Sequence, residues 1–552
     1  MLAFAENSWY IPETMITHTE GAFLMNPFLK RLFALTLMFS ALALFADSPK
    51  YIILFIGDGL STPQRMIAEE FAVKTGHGQL TINHLPNHAT TRTVSANSLV
   101  TDSAASGTAI ACGEKTNNGR IGLGPEMEPL VSVAEIARDL GRKVGIVTTV
   151  TMNHATPASF YGHRANRSQA YELGLDMITS KFDFFAGGGV SKRNDKANKS
   201  YKGDIYQLAE EAGYTVIDGD QAKIRALTPG DGKKVMAFGA AEALPYAIDM
   251  PADDLTLADY TKKALEMLEN PAGFFLMVEG GSIDWAGHAN EAATNLREVL
   301  AFDRAVRVGI EFAKKHPDET LIVVTGDHET GGMSMGFAGT GYALYVERLA
   351  NQKCSTGKFD EILTDKQIKA SSFTFEDAKP LLAENFGFVF DDEKAPLFVG
   401  EKELADLKKA FEEGKLHDAV RRLVRAKTGA EPDVKKFKAA LKKAQIKASS
   451  FTFEDAKPFL SESYGFVFDD EKSPLFVKEK ELNELKKAFN EGKLPDAARR
   501  LISAKAGVGW TSGAHTGLPV LTTSTGKGAE RFAGLLENTD ISRKLKALLR
   551  EK

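Results

Sequence analysis

Residues 51–73, YIILFIGDGLSTPQRMIAEEFAV, set the pattern for the chain. Tyr51–Ile56 is apolar at every position without alternation, which predicts a strand buried on both faces, as in a parallel sheet. Gly57-Asp58-Gly59 ends that strand, and Thr62–Val73 predicts the helix after it. The same alternation continues downstream. Val131–Leu140 predicts a helix, Lys143–Thr149 and Phe182–Phe185 strands, Leu257–Leu268 a helix and Phe274–Val278 a strand. Asn290–Lys314 predicts a long helix before the strand Leu321–Thr325, and near the end come the strand Pro519–Thr523 and helices from Lys527 and Ile541. Alternating β and α elements predict an α/β fold, a three-layer α/β/α sandwich with a mostly parallel central sheet.

At 552 residues the chain exceeds one minimal core, so one large domain with insertions or two domains is expected. Its 43% hydrophobic and 26% charged content is that of an ordinary globular protein. A net charge of −5 gives no general attraction to nucleic acid or anionic lipid. Cys112 and Cys354 are the two cysteines, so no disulfide framework is expected, and Cys112 reads as a buried packing thiol. Lys30-Arg31, the apolar run Leu32–Phe45 and the exit Ala46-Asp47-Ser48-Pro49 predict a signal peptide. Cleavage is expected near Ala41-Leu42-Ala43 or Ala46, with Met25 as the conventional start. The apolar run is short for a membrane span, so the mature chain is expected to be exported, periplasmic or secreted, without stable membrane insertion.

Residues Ile368–Lys427 recur as Ile446–Lys505, a period of 78, with IKASSFTFEDAKP identical in both copies. Each copy holds an apolar cluster (Phe373, Phe375, Leu382 and Phe388 in the first) and a predicted helix, Glu403–Leu416, with Leu404, Leu407 and Phe411 on one face. Two copies are fewer than a solenoid needs, so an accessory region is expected. Its Lys/Glu-rich face reads as solvated surface.

The residues that carry chemistry are spread along the rest of the chain. In LVTDSAASGTAIACG, residues 99–113, an extended segment turns into a small-residue helix at Ser103. A hydroxyl there faces unpaired N–H groups and the positive end of the helix dipole, which suits attack on a phosphoryl group. Asp58 follows a strand end, where open α/β sheets bind ligands. In VEGGSIDWAGH, residues 278–288, Asp284 and His288 are spaced i, i+4 and can share a metal from one helix face, with Glu279 on the preceding strand. In VVTGDHETGG, residues 323–332, joint ligation by Asp327 and His328 requires that the strand has already ended. His515 lies in the loop TSGAHTG. Asp58, Asp284, His288, Asp327, His328 and His515 together make a mixed N/O set suited to two zinc ions. Such a pair, about 3.5–4 Å apart, can hold the attacking and leaving oxygens of an in-line displacement, with Ser103 as the nucleophile.

Taken in order, GDG, TDSAASGTA, HATPAS…NR, VEGGSID…GH, TGDHETGG and SGAHTG resemble the alkaline phosphatase family, over roughly Lys50–Gly339 and from Gly509 onward. The resemblance implies that Asp284, His288 and His515 bind one zinc and Asp327 and His328 a second. Asp58 would bridge toward a third ion, magnesium, held with Thr156 and Glu279. It further implies that Ser103 is phosphorylated and then released by water, with Arg167 forked onto two phosphate oxygens and Asp102 beside it. The activity implied is hydrolysis of phosphate monoesters at alkaline pH by a homodimer. Two positions depart from some relatives: His154, where others have aspartate, and Trp285, where others have lysine or histidine. A neutral indole brings no cation to phosphate, which predicts weaker phosphate retention. Phosphodiesterases and other hydrolases on this scaffold are the alternative, followed by an exported adhesion module.

The organisation expected is residues 1–46 as extension and signal peptide and 47–340 as the first part of the catalytic core. An insert would span 341–506, with copies at about 350–427 and 428–505, and 507–552 would complete the core. The first copy is expected to form the family's usual insertion, and the second to enlarge it as a dimer clamp or lid.

Overall fold

The computed structural model describes residues 48–230, 233–336, 340–428 and 432–551. The expected signal peptide, with its Met25 start and cleavage points, lies outside the described residues. The strands are β1 (Tyr51–Gly57), β2 (Asn87–Arg92), β3 (Lys143–Thr148), β4 (Phe184–Gly187), β5 (Tyr214–Asp218), β6 (Lys234–Phe238), β7 (Phe274–Gly280) and β8 (Thr320–Gly326). They continue with the two-residue β9 (Glu329–Thr330), β10 (Ser334–Met335), β11 (Val508–Gly509) and β12 (His515–Thr516), then β13 (Val520–Gly526) and β14 (Gly534–Glu537). Among the described residues ten of these form one sheet, in the order β14-β2-β13-β8-β1-β7-β3-β4-β6-β5. Strand β13 runs antiparallel to both its neighbours, and the block from β8 to β5 is parallel.

The helices of the core are α1 (Thr62–Lys74), α2 (Ser103–Cys112), α3 (Val133–Asp139), α4 (Ala170–Thr179), α5 (Ile205–Glu211), α6 (Leu257–Leu268), α7 (Ser282–His288) and α8 (Ala292–Lys315). Alternation along β1 explains the two layers. Tyr51, Ile53 and Phe55 enter one core with α1, α6 and α8. Ile52, Leu54 and Ile56 enter the other with α2–α5 and the C-terminal helix Asn538–Arg550. Both faces are dry, as the unbroken apolar run predicts.

Several sequence expectations need correction. The strand expected at Phe182–Phe185 is Phe184–Gly187, because Asp183 is taken up in the entry turn, where its carboxylate accepts the Val144 N–H. The helix expected from Lys527 is a 3-10 turn, Ala529–Phe532, followed by β14 on the edge of β2, and the final helix starts at Asn538. The helix expected at Glu403–Leu416 is Glu401–Glu412. It ends at the turn around Gly414, and a second helix begins at Leu416.

Among the described residues the insert holds a 3-10 turn, Val346–Asn351, and eight α-helices: α9 (Thr356–Lys369), α10 (Phe375–Phe386), α11 (Glu401–Glu412), α12 (Leu416–Thr428), α13 (Lys435–Lys447), α14 (Phe453–Tyr464), α15 (Glu479–Asn490) and α16 (Leu494–Ala506). The packing units cut across the sequence copies. Phe359 and Leu363 of α9 join Phe453, Leu460, Tyr464, Leu485 and Ile502 in the main core. Phe437 of α13 instead packs with Phe375, Leu382, Phe388, Leu407 and Val420 in a separate cluster. The first helices of the two copies are therefore exchanged. The linkers cross at an antiparallel bridge between the equivalent residues Ser371 and Ser449. Helices α14–α16 of the second copy, with α9 of the first, lie against the core, and α10–α12 of the first, with α13 of the second, lie outboard.

Candidate metal centre and nucleophile

Parallel pairing puts the chemistry on one edge. Gly57 is in register with Gly280 and Gly326, and Thr148 with Glu279, so the residues at or just beyond these strand ends converge. Asp58 follows β1, Glu279 lies in β7 and Asp327-His328 stand between β8 and β9, past the strand end as their joint use requires. Gly59 has φ +72, and a Cβ there would lie 2.9 Å from the Asp284 Cα, so the turn after Asp58 admits α7 only because residue 59 has no side chain.

Ser103 opens α2 and is 1% exposed. Asp102 caps that helix, its Oδ1 accepting the N–H groups of Ala105 and Gly119 at 3.0 Å each. Its Oδ2 takes Arg167 Nη1 at 3.2 Å, which aims the guanidinium at the start of the helix. The small residues of α2 serve close packing. At Gly107 a Cβ would sit 2.8 Å from Ser159 Oγ and 3.2 Å from Thr156 Cα, so glycine lets α2 rest on the short helix Ala155–Ala158 that carries Thr156.

The donors fall into overlapping groups: Asp284, His328 and His515; Asp58, Asp327 and His328; Asp58, His154 and Glu279. His288 adjoins the first group, its Nε2 lying 3.4 Å from Asp284 Oδ2 and 3.1 Å from His515 Nε2. His515 Nε2 is 3.4 Å from Asp284 Oδ1. His288 Nδ1 lies 2.8 Å from the Gly513 carbonyl and His515 Nδ1 2.8 Å from that of Thr101. A carbonyl only accepts, so both Nδ1 atoms donate and both Nε2 lone pairs point into the cluster. Two lone pairs 3.1 Å apart repel unless a proton or cation lies between them. His328 Nε2 stands 3.4 Å from Asp58 Oδ1, 3.2 Å from Asp327 Oδ2 and 3.1 Å from Ser103 Oγ. Ligands at about 2.0–2.1 Å from one tetrahedral ion are about 3.3–3.4 Å apart, and the imidazole and carboxylate separations here run from 3.1 to 3.4 Å. In the third group Thr156 Oγ1 lies 3.2 Å from Asp58 Oδ2, and Thr148 Oγ1 donates to Glu279 Oε2 at 2.5 Å.

Asp58 Oδ1, Asp327 Oδ2, Glu279 Oε1 and His154 Nδ1 are buried without a hydrogen-bond partner. Orphaned buried oxygens on three carboxylates fit a cationic occupant, because otherwise each carries an unpaid desolvation penalty. The electrostatics agree. Burial, then repulsion from Asp327, holds Asp58 well above the carboxylate range. Burial lifts Asp327 to about 7 against the Gly59 N–H, and Glu279 to about 8 against the Thr148 hydroxyl. Burial also pushes Asp284 up, but the His515 hydrogen bond and the surrounding imidazoles outweigh it and hold that carboxyl low. Burial keeps His328 well below its usual range, followed by the neighbouring His515. His154 falls to about 4 through burial and the charge of Arg167, whose Nη2 stands 3.2 Å from its Nε2.

Every residue singled out in the sequence thus lies in this cluster or against it, Trp285 included, whose ring meets that of His154 edge-on at 6.0 Å. His154, already singled out in the sequence, is a member of the third donor group. Sequence reasoning missed two supports. Glu329 accepts from Gln64, Gly332, Met333 and Thr516, tying the loop after His328 to β12. Thr330 donates to Asp284 Oδ1 at 2.5 Å and lies 3.3 Å from His328 Nδ1. Glu329 and Thr330 directly follow Asp327-His328, and that adjacency was the available signal.

A family model described as alkaline phosphatase matches residues 49–550. The chain is 28% identical over 508 residues to alkaline phosphatase 3 of Bacillus subtilis (strain 168), covering 90% of this chain and 88% of that protein. It is 35% identical over 336 residues to the repressible alkaline phosphatase of Saccharomyces cerevisiae, covering 55% and 59%. The crystal structure of a cold-active alkaline phosphatase from the psychrophile Shewanella sp. superposes with a TM-score of 0.64 at 27% identity, covering 90% of this chain and 99% of that one.

Proposed function

Since this chain belongs to the alkaline phosphatase family, we propose that it hydrolyses phosphate monoesters by two in-line displacements through a phosphoserine at Ser103. The observation that carries the reading is Ser103 Oγ at the start of a buried helix, 3.1 Å from His328 Nε2, among carboxylate oxygens that lack partners. Asp284, His288 and His515 would hold one zinc and Asp327 and His328 a second, with Asp58 between them and a magnesium held by Asp58, Thr156 and Glu279. When bound, the ions would supply charge neutralisation at the nucleophile and the leaving oxygen and a lowered pKa for coordinated hydroxyls.

The residues of the chain do the positioning. Arg167, steered by Asp102, offers two parallel N–H donors to phosphate oxygens. The unpaired N–H groups of the first turn of α2 face the same anion. Ser103 Oγ bonds to phosphorus as the ester C–O–P link breaks and the alcohol leaves. Water then attacks the phosphoserine from the opposite side, returning Ser103 and releasing phosphate. The basic and apolar run before residue 48 supports export to the periplasm or medium, and the family resemblance supports a homodimer. Cell fractionation and light scattering check these two points.

The test compares turnover of ethyl phosphate with a diester and a sulfate ester, before and after chelation and after restoring zinc and magnesium. Acid quenching followed by peptide mass spectrometry seeks phosphate on Ser103. Dominant metal-dependent monoester turnover with phosphate on Ser103 is expected. Preference for the diester or sulfate, or phosphate absent from Ser103, overturns the proposal.

A further inference from the structure

Beside the site, a cavity of about 240 Å³ opens between the core and the insert, and Tyr246, Asp249, Trp285, Gly357, Lys358 and Glu361 face it. Trp285 joins it to the chemistry. Its indole stands one residue after Asp284 in α7 and meets His154, whose Nε2 contacts Arg167.

The opposite wall is held firmly. Asp249 Oδ1 accepts the Ser355 N–H at 2.8 Å, and Ser355 Oγ caps α9 by accepting the Lys358 N–H at 3.1 Å. Buried Glu291 accepts the Thr356 N–H at 2.7 Å and Gln352 Nε2 at 2.8 Å. The start of α9 is thereby tied to the core at two points, and the segment before it at a third.

The repeat supplies an internal control. Residues of α9 that serve packing recur 78 positions later, Phe359 as Phe437 and Leu363 as Leu441. Of those that face the cavity, Ser355, Gly357 and Glu361 correspond to Asp433, Lys435 and Ala439, whereas Lys358 recurs as Lys436. Helix α13, which carries the latter set, packs on the outboard cluster. The outboard bundle therefore packs without Ser355, Gly357 and Glu361, and positions away from the cavity differ as well, Asp360 and Asp365 corresponding to Lys438 and Lys443.

We infer that this cavity is a leaving-group subsite for nucleoside monophosphates, resting on the hydrolysis proposed at Ser103. The indole and phenol offer flat apolar faces to a base, and Lys358, Asp249 and Glu361 offer partners to its hydrogen-bonding edge. Two side-chain contacts separate the indole from the guanidinium, a gap suited to a spacer such as a pentose between base and phosphate.

Gly357→Phe tests the subsite by filling it. A Cβ at Gly357 meets only Ser355 Oγ, at 3.8 Å, so the ring can enter the cavity without displacing backbone. The expected result is a drop of about fivefold or more in kcat/KM for adenosine 5′-monophosphate, the scale of one lost aromatic contact. Ethyl phosphate turnover and inhibition by inorganic phosphate should stay unchanged. Lys358→Ala should act in the same direction. Adenosine alone should quench indole fluorescence in the wild type and not in Gly357→Phe. That readout needs no turnover, so quenching by an inactive protein would uphold the subsite while sinking the reaction at Ser103. Equal effects on both substrates, no effect on either, or adenosine quenching that survives Gly357→Phe would overturn the inference.

Discussion

Excising residues 371–448 should leave a folded, metal-binding enzyme. The cut joins Ala370 to Ser449 and restores the run Ile-Lys-Ala-Ser-Ser-Phe found in both copies. Ser371 and Ser449 already face each other across a bridge, so the new peptide link spans a gap of only about 5 Å. Every buried residue of the outboard cluster lies between Phe375 and Phe437 and leaves with it. The ties to what remains are few. The Lys442–Asp360 pair at 3.3 Å is half exposed and contributes at most about 1 kcal/mol. Ala370 O accepts the N–H and hydroxyl of Ser450, at 3.1 and 3.0 Å, bonds of about 1 kcal/mol each that the new geometry disturbs. A loss of about 2–3 kcal/mol is tolerable against a domain stability of about 5–15 kcal/mol. Removing the second repeat instead would strip Phe453, Leu460, Tyr464, Leu485 and Ile502 from the main core, at about 2–5 kcal/mol each. Differential scanning calorimetry, bound zinc and monoester turnover form the assay. Loss of the cooperative transition, or of bound metal, in the 371–448 deletant would refute the exchanged-helix account. A point-mutant version truncates equivalent residues: Phe359→Ala should lower the main melting transition, whereas Phe437→Ala should loosen only the outboard unit.

Gly107→Ala forces a Cβ to within 2.8 Å of Ser159 Oγ and 3.2 Å of Thr156 Cα. It should destabilise by about 1–3 kcal/mol and lower kcat by about tenfold or more as α2 shifts from Thr156; unchanged kcat counts against the packing role of residue 107. Burial lifts Glu298 from 4.5 to about 7, against the Ala247 N–H. Its raised folded pKa makes its contribution complete below pH 4.5 and lost as pH rises to about 7, by about 3 kcal/mol at 1.36 kcal/mol per unit. Glu298→Gln should therefore gain on the wild type between pH 4 and 8 in thermal melts, and a gap independent of pH would refute the assignment. Asp327 at about 7 and Glu279 at about 8 hold protons in the metal-free protein near neutrality. Zinc and magnesium binding at pH 7 should release protons, giving calorimetric heats that depend on buffer ionisation enthalpy, an effect that fades by pH 9. Heats that do not depend on the buffer at pH 7 would contradict this.

What the sequence made legible follows from where the free energy lies. Strands β1, β7 and β8 are buried on both faces, and their unbroken apolar runs can do little else. Strand β2, Asn87–Arg92, pairs with β13 and β14 yet alternates buried Ala89 and Thr91 with exposed polar residues, so no apolar run announces it. Strand β14 hides differently: Leu535 is 72% exposed, and apolar Gly-Leu-Leu reads as a helix start until pairing with β2 decides it. The site residues were legible because each motif is contiguous and ends a strand or opens a helix. Their supports were less so. Glu329 and Thr330 read as residues of a turn until the fold sets them against Thr516 and Asp284.

The exchange of helices was illegible for a deeper reason. The copies share the residues that pack, so composition cannot say which cluster Phe375 or Phe453 joins. The ends of the insert decide it. Helix α9 is tied to the core through Glu291 and Asp249, and α16 leads directly to β11, which pairs with β10. Arg348 Nη1 also binds the Lys505 carbonyl, fastening the end of α16 beside the start of the insert. With both ends held by the core, the bundle containing both must sit there, and that bundle is α9 with α14–α16. The middle of the insert, α10–α13, is left to fold outward as a loop that closes on itself. His515 stands nine residues after α16, so the docking of the second repeat sets the path of the loop that carries it. Length added or removed between α9 and α14 is therefore invisible to the donor cluster, whereas any change between α14 and β12 moves His515.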